Sequence, residues 1–435
     1  MSTGSCSGNF CYDGRMTEDK KQLYEAIDAM KEEVLSLGKR LFNTPELGFY
    51  EYETGAIARD WLDQSKIPYV DGISLTGLQA TLGEGDYHIA LMADMDALLV
   101  PIGDQYRPFH SCGHSIQVAV MLAVMRALHA SDLLRDKAVK VSLLLTPAEE
   151  FIDLERRQAL LDEGKIRFFS GKQNMIADGV LDDIDCVLSC HVSGSELYAF
   201  DVGSRLAGFT AKKVVFKGKA AHSGVAAHQG KNALHAAILL VQALSFLKDQ
   251  FSKDAGVRLE PILTEGGRSM NVVPETAAVE SYLRANTIED LNRLRETFDR
   301  AATHMAGAIG VDLGIFETTG YLPLIQSEAL TSLVLSNMHT FVADEQIERG
   351  VLSGASGDIG DVGSLLPAVQ FGFSGIQGCV HSRAFSIEDP EHVYLDTAKV
   401  LLGVIADLVR DPTLRVRNSN FLKDKEQYLR DWLHF

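Results

Sequence analysis

Four apolar runs set among polar and acidic stretches constrain this chain more than any other feature. HIALMADMDAL ends in acids, IQVAVMLAVMRALHA has the length of a buried helix, AVKVSLLLTP reads as a strand stopped by Pro147, and CVLSCHV is a further short strand. Short apolar strands alternating with helices specify an α/β domain with a largely parallel sheet. Such sheets bind ligands beyond the carboxyl ends of their strands. The reactive residues fall there: Asp94 and Asp96 close one strand, Glu149 and Glu150 follow the next, and His191 ends the third.

Ahead of this pattern, Leu23, Ile27, Met30, Val34 and Leu37 set an amphipathic helical rhythm from Glu18 to Lys39, and Thr54 to Leu62 suggests a second helix. Around Leu206 the texture changes. GFTAKKVVFKG, VRLEPILTEGG, TAAVESYLRA and VDLGIFETTG read as strands, and two long helical stretches interrupt them in the order β-α-β-β-α-β, which is the ferredoxin-like arrangement. After Tyr321 the apolar alternation resumes with LPAVQFGFSG and a helix near DTAKVLLGVIADLVRD. The fold expected is therefore α/β: a mixed, largely parallel sheet with flanking helices, of the phosphorylase/hydrolase-like kind, plus an inserted ferredoxin-like α+β satellite domain. Its boundaries read as a disordered, Gly/Ser-rich head over 1–17, a catalytic domain over 18–205 and 319–435, and the satellite over 206–318. At 435 residues the chain exceeds what one hydrophobic core usually serves, which agrees with two domains.

A net charge of −18, with no basic stripe, argues against a nucleic-acid or anionic-membrane surface. No apolar run approaches the roughly 18 residues of a membrane span, and the first residues lack the apolar core of a signal peptide. Six cysteines, Cys6, Cys11, Cys112, Cys186, Cys190 and Cys379, are too few and too scattered for a disulfide scaffold. Cytoplasmic residence is the expectation.

In His110-Ser111-Cys112-Gly113-His114 a thiol and an imidazole stand two residues apart, and both bind a soft or borderline metal. Taken alone, Cys112 is as well explained as a small buried hydrophobe and His114 as a loop residue; likewise His191 and His381 each read as core histidines with satisfied rings. The joint set changes the reading. Cys112, His114, Glu150, His191 and His381 supply one thiolate, one carboxylate and three imidazoles, so two dications would keep net positive charge with which to bind hydroxide and polarise a carbonyl. Neighbouring side chains diverge at a strand end, which lets Glu150 bind metal while Glu149 faces the water as general base. Asp94 and Asp96, otherwise strand terminators, would fix the tautomer of a ligand imidazole. In the satellite, GKAAHSG with His222, GGRSMNVVP with Asn271 and SYLRAN with Arg284 form a candidate substrate clamp. His222 and Asn271 would donate to a developing oxyanion and Arg284 would fork onto a substrate carboxylate; the plain alternatives are a turn histidine, a loop cap and a surface charge.

These residues resemble a known family, the metal-dependent amidohydrolases and peptidases that include carboxypeptidase G, aminoacylase, hippurate hydrolase, auxin-conjugate hydrolase and aminobenzoyl-glutamate hydrolase. The resemblance runs in order from about Glu18 to Leu408 through NTPELGFYEYET, ALMADMDAL, HSCGHSIQVA, TPAEE, CHV, GKAAHSG, GKNALHAA, NVVP, YLRA, SGDIGDV and VHSRAF. It implies that Cys112, His114, Glu150, His191 and His381 ligate two divalent metal ions per subunit, zinc or manganese, with cobalt or nickel as alternatives. It also implies that Glu149 is the base and that the satellite mediates a homodimer, its histidine reaching the partner's active site. The cysteine points to the auxin-conjugate, hippurate and aminobenzoyl-glutamate branch.

The chain departs from the family pattern in places. Ser115 replaces an acid, Gln117 stands where a further histidine is common, and Thr146 replaces the usual Gln. Phe151 to Gln173 is longer than the Gly-rich connector of the auxin-conjugate hydrolases, and its position directly after Glu150 suggests a wall of the substrate pocket. SGASGDIGDV is closer to the aminobenzoyl-glutamate hydrolase and dipeptidase-like members. The implied activity is hydrolysis of N-acyl amino acids or small peptide-like amides with a carboxylate end. A catalytically degenerate small-molecule-binding or regulatory protein on the same scaffold is the alternative; a purely structural zinc protein would call for a closed, Cys-rich site instead.

Overall fold

In a computed structural model, residues 16–193, 195 and 197–435 are described; most of the expected 1–17 head lies outside them. Thr17 already caps a helix, its hydroxyl accepting from the Lys20 amide. The single helical rhythm from Glu18 to Lys39 is realised as two helices, Glu18–Ala29 and Lys31–Phe42, parted at Met30, whose backbone leaves the helical region. The chain separates into two units.

The first unit takes in the chain up to Ser204, then Gln326–Val351 and Leu365–Glu426. Its seven-stranded sheet is mixed with a parallel centre. Cys186–Val192 lies between Gly77–Asp94 and Ala368–Phe373 and is parallel to both. The long strand Gly77–Asp94 meets Ala138–Thr146 twice: Leu78 faces Leu145 and Leu82 faces Val141, then Tyr87 faces Val139 and Asp94 faces Thr146. The register therefore reverses, and the second half runs parallel, so Asp94, Thr146 and His191 all arrive at carboxyl ends of neighbouring strands. The helix His114–Ala130 is apolar on every side and buried from Ile116 to Leu128, with only Arg126 part-exposed. A helix apolar all round belongs inside a core, and each Val, Leu or Ile it buries contributes about 1.5–3 kcal/mol. That burial fixes the first residue of the helix, His114, relative to the sheet.

The second unit comprises Arg205–Ile325, Leu352–Ser364 and Gln427–Phe435. Its antiparallel strands lie in the order Arg258–Leu259, Thr276–Ala285, Gly208–Lys217 and Asp312–Thr319, with Ile262–Glu265 also on Thr276–Ala285. Pro261 splits the run that reads as one strand in the sequence into these two short ones. Helices Ala233–Leu247 and Ile288–Ile309 pack on the sheet through Leu240, Leu244, Leu294 and Phe298 against Val214, Phe216 and Val279. Local periodicity groups 319–435 with the first unit, yet Leu352–Ser353 pairs with Arg205–Leu206, and the Tyr428 hydroxyl donates to Asp361 at 2.8 Å. Pairings between residues so far apart in sequence draw two short segments into the second unit. No helix among the described residues is long and apolar enough to cross a membrane.

Candidate metal centre

Strand ends and one helix start bring the reactive side chains of the first unit together. Gly113 has φ 81°, a left-handed value that glycine adopts without strain, and it turns the loop into the helix that His114 begins. Cys112 precedes that turn, where the positive end of the helix favours an anionic thiolate. His381 is tied to the same loop, its amide donating to the Ser111 carbonyl at 2.8 Å.

Donor atoms from Cys112, His114 and His191 form one group whose members all lie within 4.8 Å of one another, and those of Cys112, Glu150 and His381 form a second. Cys112 belongs to both: its Sγ is 3.6 Å from His191 Nε2 and 3.2 Å from His381 Nε2. His381 Nε2 is 3.6 Å from Glu150 Oε1, and Glu149 Oε2 is 3.8 Å from His114 Nε2. The far nitrogens of two rings are already engaged. His114 Nδ1 donates to the Asp96 carbonyl at 2.9 Å and lies 3.2 Å from Asp96 Oδ1, and His191 Nδ1 donates to the Val192 carbonyl at 3.0 Å. Both rings thus turn Nε2 towards the cluster, as a metal-ligating imidazole requires.

The electrostatics fit divalent cations. Among the described residues, His114 Nε2 and Glu150 Oε1 are buried and make no hydrogen bond of ordinary geometry, a costly state for buried polar atoms that a cation would relieve. Burial pushes the Glu150 carboxyl up to about 7 and the Cys112 thiol well above its ordinary value, so ionising either calls for nearby positive charge. Burial also holds His191 down at about 4, leaving it neutral and able to ligate. For His114 burial acts downward, but the Cys112 sulfur and the Asp96 carboxylate outweigh it and hold the imidazole well above its usual range.

The two aspartates divide their work. Asp96, fully buried, serves His114 and also accepts from the Glu150 amide at 3.0 Å. Asp94 makes no such contact with an imidazole; its carboxylate takes the Thr146 hydroxyl at 2.6 Å and the Lys172 ammonium. Burial would raise Asp94, but Lys172 outweighs it and holds the carboxyl below its usual value. Gln117 is accounted for as well, since its side-chain oxygen accepts from the Asp94 amide at 2.9 Å.

Sequence reasoning missed Glu51, Arg157 and Lys172. Glu51 is fully buried, accepts from the Ala148 amide at 2.9 Å and the Thr76 hydroxyl at 2.5 Å, and is pushed up to about 8 by burial and by Asp96. Its place in NTPELGFYEYET was the available signal. Ala148, just before Glu149 and Glu150, has φ 55° without being glycine, a strained state that persists only where its surroundings over-determine it. Gly171 helps do so by close approach, since a Cβ there would sit 1.8 Å from the Pro147 carbonyl oxygen. Gly171→Ala should therefore displace the Pro147–Ala148 turn and cost about 1–3 kcal/mol, read as a lower urea midpoint together with a lower metal content.

The second unit holds the other expected residues. His222 and Asn271 are exposed; His222 Nδ1 accepts from the Gly224 amide at 3.1 Å, and the Asn271 carbonyl accepts from the Ser223 amide at 3.0 Å. Arg284 is half-buried and donates from Nη1 to the Gly354 carbonyl at 2.7 Å, so part of its fork is committed within the unit.

Residues 205–309 match the peptidase dimerisation domain of the M20 group. The chain is 26% identical over 418 residues to the Xaa-Arg dipeptidase of Mus musculus, covering 91% of this chain and 90% of that protein. It is 27% identical over 383 residues to the N-acetyl-L-cysteine deacetylase of Bacillus subtilis (strain 168), covering 83% and 85%. In fold it is similar to an aminohydrolase from methicillin-resistant Staphylococcus aureus, with a TM-score of 0.76 at 21% identity over 90% of this chain and 100% of that one. It is similar also to a dinuclear metal-binding M20 peptidase from Bacillus subtilis, with a TM-score of 0.69 at 20% identity over 88% and 99%. Residues 205–309 thus carry the peptidase dimerisation domain, and over most of its length the chain is similar to metal-dependent amidohydrolases and peptidases.

Proposed function

We propose that the protein is a dinuclear metal-dependent hydrolase of N-acyl amino acids or small peptide-like amides with a carboxylate end. The observation that carries this reading is the membership of Cys112 in both donor groups, so that its thiolate would be available as a donor to either cation. Cys112, His114 and His191 would hold one cation, and Cys112, Glu150 and His381 the other; thiolate and imidazole donors suit zinc, with manganese, cobalt or nickel as alternatives. When bound, two divalent cations polarise the amide carbonyl and acidify the water that attacks it.

The chain's own residues do the rest. Glu149 Oε2, beside the imidazole of His114, takes the proton of the attacking water and later gives it to the leaving amine nitrogen. Asp96 keeps the His114 ring in the tautomer that presents Nε2. His222 and Asn271, exposed on the second unit, donate to the oxyanion, and the donors Arg284 has left over pair with the substrate's carboxylate. The second unit, ferredoxin-like in its order of elements, serves as the dimerisation domain; exposed Phe246, Ile262, Leu263 and Phe316 are apolar surface of the kind a dimer buries. A ligand thiolate also needs reducing surroundings, which favours the cytoplasm.

The test is a panel of N-acyl amino acids, dipeptides and aminobenzoyl-glutamate assayed on metal-free and reconstituted protein. Turnover should appear only after reconstitution, with two equivalents of metal bound. A carboxylate-free amide cleaved equally well would remove the role given to Arg284, and no turnover of any amide would remove the reading.

A further inference from the structure

The segment Phe151–Gln173 sends two long cationic side chains into the protein rather than outward. Arg157 and Lys172 are 2% and 1% exposed, among the largest fully buried side chains of the molecule. Charged residues are almost never buried so completely unless they are paired, and a buried pair is weak evidence of stabilisation because apolar replacements often do as well. What these two touch is therefore informative. Lys172 reaches Asp94, and Arg157 lies 3.9 Å from Asp96 Oδ2, so the segment sets one cation against each aspartate.

Arg157 does more. Its Nη1 donates to the Ala148 carbonyl at 3.4 Å and the Phe169 carbonyl at 2.6 Å, and its Nη2 donates to the Glu150 carbonyl. The guanidinium thus grips the main chain on both sides of Glu149. It acts where the backbone is strained at Ala148, and where the Glu150 main chain is also held by the bond from its amide to Asp96 and by the Ile152 amide donating to its carbonyl at 2.9 Å. Only a planar fork of several donors can make these contacts together.

We propose that Arg157 is a positioning residue for hydrolysis: it fixes the main chain around Glu149 and Glu150, so that the base and the carboxylate ligand keep their separate directions. This rests on the hydrolytic reading above. The segment that carries Arg157 is then a brace from behind the site, with a task distinct from shaping the substrate pocket.

The test uses the full chain loaded with cobalt(II), whose ligand-field bands report ligand geometry whether or not an amide is turned over. Arg157→Lys keeps the charge and removes the fork. It should retain the metal stoichiometry, shift the cobalt bands, and lower kcat on the order of 10- to 100-fold, the scale seen when groups behind metal ligands are lost, with KM within about twofold. Arg156→Met, a change at the exposed neighbour, should leave both readouts native. Native kcat and native bands in Arg157→Lys would overturn the proposal, and so would an equal loss in Arg156→Met, since the effect would then belong to the helix rather than the fork. If the wild-type protein cleaves no amide, the functional reading fails by itself, and the cobalt bands alone decide: shifted bands in Arg157→Lys uphold the brace, and unshifted bands sink it. Arg157→Met need not fold for any of these outcomes to be read.

Discussion

Glu149→Gln should bind metal as the native protein does and lose turnover on the order of 10²- to 10⁴-fold, the range ascribed to a positioned general base. The amide is nearly the same size as the carboxylate, so packing is kept and the ability to accept a proton from water is not. Glu149 contributes to a donor group with His114 and Glu150, yet the two groups that share Cys112 are complete without it. Measurement of bound metal alongside kcat separates the two roles. A variant that turns over at near-native rate excludes Glu149 as the base, and one that has lost metal shows that the carboxylate is needed as a ligand. Glu150→Ala should give the opposite result, with metal affinity falling first and activity following.

Cys112→Ser should weaken both metal positions together, because one sulfur serves both donor groups. The fall in affinity should exceed the roughly 10- to 100-fold that follows loss of a group behind a ligand. In the native protein affinity should rise with pH. Burial holds the Cys112 thiol above its usual value, and Cys112 and Asp96 hold the His114 imidazole above its own. The thiol–imidazole pair therefore keeps at least one proton that a cation must displace, and metal binding releases it. Competition titrations against a chelator at several pH values measure this directly; affinity independent of pH would contradict a thiolate and imidazole ligand set. Metal removal should also lower the thermal midpoint, since a ligand present at about 100 times its Kd adds about 2.7 kcal/mol.

His381 lies in a turn and was legible only through the joint set, whereas Cys112, His114, Glu150 and His191 were legible because each stands close to a strand end or helix start, positions that follow from local apolar runs. Asp96 was legible for the same reason. Arg157 was not. It stands beside Arg156 in a segment crowded with charge, and no local pattern tells the arginine that is 2% exposed from the one whose side chain is 43% exposed. Burial there is decided by which face of Leu154–Asp162 meets the Pro147–Glu150 turn, a tertiary fact. Lys172 was hidden in the same way, although Thr146, noted as a departure from the family pattern, proves to share its partner Asp94. The return of Leu352–Ser364 and Gln427–Phe435 to the second unit was equally invisible, because the pairings that draw them there join residues distant in the chain.

The Ala148 carbonyl also accepts from the Gly171 amide, at 3.4 Å, besides the bond from Arg157. The chain between these two donors is thus a loop stapled at one oxygen atom. Doubling the length of a flexible loop adds only about 0.6 kcal/mol of closure entropy, but Leu160 and Ile166 are buried in one cluster with Phe49 and Ala148, so it is the exposed stretch 162–165 that can gain residues with little effect on either anchor. That stretch is where this protein could accept a peptide tag or an inserted module while its reaction centre stays in place.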